Sequence, residues 1–217
     1  MNFQARIDYL SQFVMERRLE RFRQILDLRT AYVQLALQDT YHMHNASAVL
    51  RSSDAFGMQR VHLIRDKFAK EIDTEIALGA QKWLDIQQHS SNESLFAYAQ
   101  DQGMSLVATS PHKGAARIET LDLTRPVLIM LGTEREGLTD DAFAKADQTL
   151  HIPMYGFTES LNLSVTASLI FHGLRQRLEQ SERSYGLVDK EKQRILLDWL
   201  RTSVKDSGRL EALQFDE

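Results

Sequence analysis

Apolar residues recur along this chain at two spacings, one typical of helices and one of buried strands. Helical spacing predicts two helices within residues 2–29 and another at 190–204. The apolar side of this third helix consists of Ile195, Leu196, Trp199 and Leu200. Short apolar runs predict strands at 32–37, 61–64, 104–109, 126–131 and 150–152. Caps and helical spacing predict further helices at 45–57, 71–78, 92–101, from 139, and at 160–180.

The order of these elements predicts the fold class. Strands alternate with helices, and residues 126–131 are almost wholly apolar, as is typical of a central strand in a parallel sheet. We therefore expect an α/β fold, with a mostly parallel sheet and helices on both faces. Around this domain, at 31–180, we expect helical extensions, N-terminal at 1–30 and C-terminal at 181–217.

Composition narrows the class of protein. With 217 residues, of which 43% are hydrophobic, the chain can build a substantial core. No apolar run approaches the roughly 18 residues of a membrane span, and the N-terminus lacks the apolar segment of a signal peptide. Cysteine is absent, and the histidines and acids form no metal-ligand spacing. We expect a cytoplasmic protein that binds neither a metal nor a membrane.

The distribution of charge matters more than its total. The net charge of −4 argues mildly against a nucleic-acid partner, because phosphate contacts need cations. Residues 1–30, however, hold six arginines against four acids, and arginine is the cation best suited to phosphate. This segment is either an RNA-contact surface or a solvated helical segment with internal ion pairs.

Three segments place small polar residues, glycine or proline next to apolar runs, at 45–57, 129–138 and 152–164. Backbones of this kind often hold ligands, although each segment alone is also consistent with a tight turn in an open sheet. In such sheets, ligands bind at the carboxyl ends of the strands. The glycine patterns of nucleotide triphosphatases and NAD enzymes are absent, which disfavours both classes.

In this order and spacing, the three segments resemble the motifs of the SPOUT RNA methyltransferases of the TrmH type, which methylate a ribose 2′-hydroxyl in tRNA. The resemblance spans about residues 17–177. It implies a trefoil knot in the C-terminal part of the sheet, S-adenosylmethionine as cofactor, and a homodimer formed through the knot region. It also implies a tRNA substrate, with a D-loop guanosine, nucleotide 18, as the target.

The resemblance assigns roles to individual residues. The catalytic positions are Asn45, Arg51, Glu134, Ser160 and Asn162. The cofactor-binding positions are Thr109, Gly132, Ile152, Met154 and Leu161, among which Gly132 is expected to let backbone lie close to a flat ring. The RNA-binding positions are His44, Arg175 and Arg177, together with the N-terminal Arg17, Arg18 and Arg21.

Elementary chemistry limits these roles. Because arginine stays protonated in proteins, Arg51 is better suited to orient a phosphate or to stabilise charge than to act as the base. The alternative for Arg51 is a surface ion pair with Asp54. Asn45 is expected to cap its helix and Ser160 the long helix, with Asn162 pointing into the site.

Two other functions remain open. The first keeps the chemistry but moves it to ribosomal RNA or to another tRNA position, and the second is a non-catalytic RNA-binding protein on the same fold. The resemblance favours tRNA, because related enzymes that act on ribosomal RNA often carry a separate N-terminal RNA-binding domain, whereas this chain has a helical extension of about thirty residues. The acidic segment 211–217 is not expected to bind RNA.

Overall fold

Residues 31–185 form one of two units of the chain, around a six-stranded parallel sheet. The structure is a computed structural model and describes residues 3–38, 43–64, 74–110, 115–133 and 136–215. The strands are β1 (Val33–Gln38), β2 (Arg60–Ile64), β3 (Asp85–His89), β4 (Ser105–Thr109), β5 (Val127–Leu131) and β6 (Gln148–Leu150). Their order in the sheet is β3-β2-β1-β5-β4-β6, so β1 and β5 lie at its centre.

Helices cover both faces of this sheet. The helices of this unit are α3 (Met43–Ala55), α4 (Thr74–Ala77), α5 (Asn92–Asp101), α6 (Asp140–Lys145) and α7 (Leu163–Glu179). Those of the other unit are α1 (Phe3–Ser11), α2 (Glu16–Leu28), α8 (Asp189–Ser203) and α9 (Ser207–Phe215).

Successive strand residues face opposite sides of the sheet. On one face, Leu35 and Ile129 belong to a buried cluster that includes residues of α3 and α7. On the other face, Ala36 and Leu128 belong to a cluster that includes residues of α5 and α6. This arrangement confirms the predicted α/β class with helices on both faces, while the implied trefoil knot stays a prediction.

Residues 1–30 and 186–217 together form the second unit. In it, α8 packs against α1 and α2, and the predicted apolar side of α8 is buried. The carboxylate of Glu211 on α9, 5% exposed, accepts hydrogen bonds from Arg6 Nη1 at 3.0 Å and Arg201 Nε at 2.8 Å. The hydrogen bonds from Arg201 lower the pKa of Glu211. The acidic C-terminal segment therefore holds α9 to α1 and α8.

Several predicted elements need correction. The polar strand β3 and the helix α9 were not predicted. The strand predicted at 150–152 lies at 148–150. Helix α3 begins at Met43, so the prediction that Asn45 caps it is wrong. Of the helix predicted at 71–78, residues 71–73 lie outside the described residues and 74–77 are helical.

Within the part of the chain that the structure describes, no helix is long and apolar enough to cross a membrane.

A buried polar network crosses strands β1, β2 and β3. His62 is fully buried, and its Nε2 lies 2.7 Å from Gln34 Oε1, while its Nδ1 lies 2.9 Å from His89 Nε2. Gln34 Nε2 donates to the carbonyl of Ala31, so its Oε1 accepts and His62 carries its proton on Nε2. Tyr98 also donates to Gln34 Oε1. Burial, followed by His89 and Arg60, lowers the pKa of His62 from 6.5 to about 3.

This network predicts a loss of stability in mild acid. The unfolded chain takes up a proton on His62 below pH 6.5, whereas the folded chain resists it down to about pH 3. The stability contributed by the neutral ring is therefore complete above about pH 6.5 and falls as pH drops, by roughly 2 kcal/mol between pH 7 and pH 5. Urea unfolding at both pH values measures this loss.

A matched pair of variants assigns the effect to one ring. In His62→Gln the change in unfolding free energy between pH 7 and pH 5 should shrink by roughly the same 2 kcal/mol. In His172→Gln, which alters an exposed histidine on α7, the change should equal that of the original chain. A His62→Gln protein with an unaltered pH dependence would show that another group titrates.

Candidate functional site

A cavity of about 710 Å³ opens at the carboxyl ends of β4, β5 and β6. Thr109 and Ser110 from the end of β4, Leu131 and Gly132 from the end of β5, and His151 after β6 all contribute to its wall. This is the edge at which open parallel sheets bind ligands, and the volume lies in the range of small-molecule sites.

All five predicted cofactor-binding residues line this cavity, as do Ser160 and Asn162 from the catalytic set; the five are Thr109, Gly132, Ile152, Met154 and Leu161. Thr109 Oγ1 donates to the carbonyl of Met130 at 2.9 Å, which fixes the end of β4 against β5. Thr109 and Leu161, which lie 52 positions apart in the chain, thus meet in one wall.

The loop after β5 folds tightly back on itself. Thr133 N donates to the carbonyl of Gly137 at 3.0 Å, and Gly137 N donates to that of Thr133 at 3.1 Å. A Cβ on Gly132 would overlap the backbone of Gly137 and Leu138. The predicted approach of Gly132 to a flat ring stays a prediction, whereas the structure already requires glycine here for the approach of the chain's own backbone.

The first and third predicted motifs meet through two asparagines. Asn162 Nδ2 donates to Asn45 Oδ1 at 3.1 Å. Asn162 Oδ1 accepts from the backbone N of Ser164 at 2.8 Å, so Asn162 is the N-cap of α7 and the prediction that Ser160 caps this helix is wrong. Ser160 lies in the exposed segment before the helix. Asn162 therefore caps α7, lines the cavity and holds Asn45 at once.

The remaining catalytic positions lie outside the cavity wall or outside the described residues. Arg51 is exposed on α3, the helix that also carries Asn45. Helix α3 is fixed to α7 by a hydrogen bond of 2.8 Å between the hydroxyls of Ser52 and Ser168. Glu134 lies outside the described residues. The roles assigned to Arg51 and Glu134 stay predictions.

The predicted RNA-binding residues fall into two groups. His44 on α3 and Arg17, Arg18 and Arg21 on α2 are exposed. On α7, Arg175 Nε donates to Glu179 at 2.7 Å and Arg177 Nη1 donates to the carbonyls of Ile118 and Leu121, at 2.7 and 2.8 Å. Arg177 thus supports the loop before β5, and its RNA contact stays a prediction.

Sequence reasoning missed several residues of the cavity wall. They include Thr133, Glu136, Phe143, His151, Glu159 and Thr166. Most are neighbours of predicted positions, and the one useful signal was their place directly after a strand or before α7. Among the described residues, no group of three or more histidines and acids is arranged to hold a metal.

Comparison with known proteins places this geometry among RNA methyltransferases. The SpoU rRNA Methylase family matches residues 32–172. The chain is 32% identical over 208 residues to the tRNA (guanosine(18)-2′-O)-methyltransferase of Borreliella burgdorferi, which covers 96% of this chain and 95% of that protein.

Two solved structures share the fold. The Aquifex aeolicus TrmH/SpoU tRNA modifying enzyme superposes with a TM-score of 0.79 at 28% identity, over 88% of this chain and 98% of that one. The SpoU methyltransferase AviRb from Streptomyces viridochromogenes, in complex with AdoMet, superposes with a TM-score of 0.62 at 22% identity, over 74% and 62%. At that identity the second likeness concerns the fold alone.

Proposed function

Because this chain belongs to the SpoU methylase family, we propose that it transfers a methyl group from S-adenosylmethionine to a ribose 2′-hydroxyl of tRNA, at guanosine 18 of the D-loop, in the cytoplasm. The observation that carries the proposal is the cavity at the carboxyl edge of the sheet. Residues of the second and third motifs line it, and the bond between Asn162 and Asn45 brings the first motif to its rim.

The cavity wall suits this cofactor. Apolar side chains of Leu131, Ile152, Met154 and Leu161 offer faces for a flat ring. Thr109, Gly132, Ile152, Met154 and Leu161 are the residues that would hold it. When bound, S-adenosylmethionine supplies a methyl group on a positively charged sulfur.

The chain must hold the ribose and help it lose a proton. A 2′-hydroxyl is a weak nucleophile at neutral pH, so alignment and proton removal set the rate. We infer that Arg51 binds a phosphate of the target nucleotide and thereby orients the ribose. The phosphate accepts or relays the proton of the 2′-hydroxyl. We infer that Asn45, Ser160 and Asn162 hydrogen-bond the ribose, and that Glu134 orients Arg51 or Asn45.

Binding of tRNA needs a positive surface despite the net charge of −4. The exposed Arg17, Arg18 and Arg21 on α2 offer one. His44 on α3 and Arg175 on α7 offer further contacts. Each phosphate contact made by these residues should appear in the salt dependence of binding.

We further propose a homodimer formed through the region after β6. In this region Tyr155 is 88% exposed and Phe157 is fully exposed. Val165 and Leu169 add an exposed apolar stripe on α7. Exposed apolar groups of this size mark association surfaces in soluble proteins. A mass of one chain in sedimentation at micromolar concentration would contradict the dimer.

Methyl transfer to defined RNA tests the main proposal. The purified chain is incubated with labelled S-adenosylmethionine and an unmodified tRNA transcript, which is then digested and mapped by mass. We expect 2′-O-methylguanosine at position 18. A matched transcript with deoxyguanosine at 18 lacks the acceptor hydroxyl and should take up no label. If ribosomal RNA takes up label and tRNA does not, the substrate is ribosomal RNA. If neither RNA takes up label, the result favours an RNA-binding protein without activity.

A further inference from the structure

A compact cluster of polar side chains lies where β1 ends, beside the cavity but outside its wall. Gln38 is the last residue of β1 and is only 3% exposed. Around its amide lie Asn92 from the first turn of α5, Thr139 from the start of α6, and Asp141 within α6.

The Gln38 amide is hydrogen-bonded at both ends. Its Nε2 donates to Asn92 Oδ1 at 2.9 Å and to Thr139 Oγ1 at 2.8 Å, and its Oε1 accepts from the backbone N of Thr139 at 3.2 Å. Asn92 Nδ2 in turn donates to Asp141 Oδ2 at 2.7 Å. Both amide protons of the buried Gln38 are thus used, and a side chain without polar atoms would lose all three of these hydrogen bonds.

This cluster is connected to the cavity through the chain on both sides. Thr139 is the N-cap of α6 and directly follows Leu138, which lines the cavity, as does Phe143 of α6. On the strand side, Leu37 pairs with Leu131, another residue of the wall. The backbone that enters α6 is therefore held by the hydrogen bonds between Thr133 and Gly137 and, two residues later, by the Gln38 amide at Thr139.

We propose that Gln38 is a positioning residue of the cofactor cavity. Its amide sets where α6 begins and so fixes Leu138 and Phe143 in the wall, although Gln38 itself does not line the cavity. The inference rests on the proposed function, because it takes the cavity to be the S-adenosylmethionine site. A displacement of the order of 1 Å in a positioning group can cost about 10²-fold in activity, so a looser α6 should weaken the site measurably.

The test measures binding of S-adenosylmethionine by calorimetry, together with thermal unfolding. Gln38→Met keeps the size of the side chain and removes its hydrogen bonds, and we expect the dissociation constant to rise at least about tenfold. Gln59→Met is the matched control. Gln59 is also buried, 1% exposed, and its Nε2 donates to the carbonyl of Trp83 at 3.0 Å, away from the cavity wall. It should lose stability but keep its affinity.

A second pair of variants approaches the same cluster from α6. Thr139→Val removes the hydroxyl that Gln38 and Asn92 contact, and should weaken cofactor binding in the same direction as Gln38→Met. Thr139→Ser keeps the hydroxyl and should restore the affinity of the original chain. If these changes acted only by making the whole protein unstable, Thr139→Ser and Thr139→Val would not differ in their affinity for the cofactor in this way.

The outcomes separate the inference from the proposed function. If the original chain binds no S-adenosylmethionine, the proposed function fails. If it binds and Gln38→Met binds equally well, or if Gln59→Met loses as much affinity as Gln38→Met, the positioning role is overturned. A loss confined to Gln38→Met and Thr139→Val supports it.

Discussion

Replacing Arg51 with alanine is expected to lower the rate of methyl transfer by about 10²–10³-fold, the usual cost of removing one charge-stabilising group from an active site. Arg51 lies six residues after Asn45 on α3, which is about 9 Å along the helix. The proposed mechanism assigns the two side chains to different parts of one nucleotide, with Asn45 on the ribose and Arg51 on its phosphate.

The fold should tolerate this change. The Arg51 side chain is exposed, and truncation of an exposed side chain usually changes the free energy of unfolding by less than about 0.5 kcal/mol. Affinities for tRNA and for S-adenosylmethionine should therefore stay within a few-fold of those of the original chain. Single-turnover assays at saturating concentrations of both measure the chemical step apart from binding.

The matched control for Arg51 is Arg125→Ala. Arg125 is also exposed, and its ion pair with Asp147 at 3.2 Å lies before β5 and β6, at the opposite edge of the sheet. Such exposed pairs contribute little, so this variant should turn over normally. Normal turnover in Arg51→Ala would leave Arg51 as a solvated helix residue and remove it from the proposed mechanism.

Replacing Gly132 with alanine should impair the cavity itself. The added Cβ would overlap the backbone of Gly137 and Leu138, and backbone held by two hydrogen bonds cannot rotate away as a side chain would. Overpacking of this kind costs about 1–3 kcal/mol, which equals roughly 5- to 150-fold in affinity if the displaced loop bears it. We expect that loss in S-adenosylmethionine binding, measured by calorimetry.

Gly156→Ala provides the comparison for the cavity. Gly156 lies in the neighbouring segment, and a Cβ built there meets its nearest atom, the backbone N of Thr158, at 4.0 Å. That is an ordinary contact, so affinity should not change. Equal affinities in Gly132→Ala and the original chain would mean that the loop after β5 moves freely and does not shape the cavity.

Much of the sheet was predictable because its central strands are apolar on both faces. β5 is a continuous apolar run and β1 is apolar apart from Gln34 and Gln38, and helices cover both of their faces. β3 escaped prediction because it is an edge strand of largely polar residues, Asp85–His89, whose polar groups are satisfied by β2 and α5. The formation of β3 depends on its partners β2 and α5, and the residues of the strand alone do not indicate those partners.

Part of the cavity wall was predictable, but the contacts of its residues were not. The resemblance named seven residues of the wall, and of these Ser160 and Asn162 are both good caps in sequence. Asn162 takes that place, and its amide also bonds to Asn45, 117 residues earlier. Likewise Glu211 looked like part of an acidic tail, because its partners Arg6 and Arg201 are distant or on another helix.

The division of the chain has a consequence for its synthesis. Residues 31–185 are contiguous, whereas the other unit needs residues from both ends of the chain. As the chain leaves the ribosome, the unit with the cavity can complete its core first, in the order in which domains fold during translation. The apolar sides of α1 and α2, with Ile7, Leu10 and Phe22, must wait for α8. These two helices emerge before their partner α8, so their apolar sides stay exposed until most of the residues between them have been made.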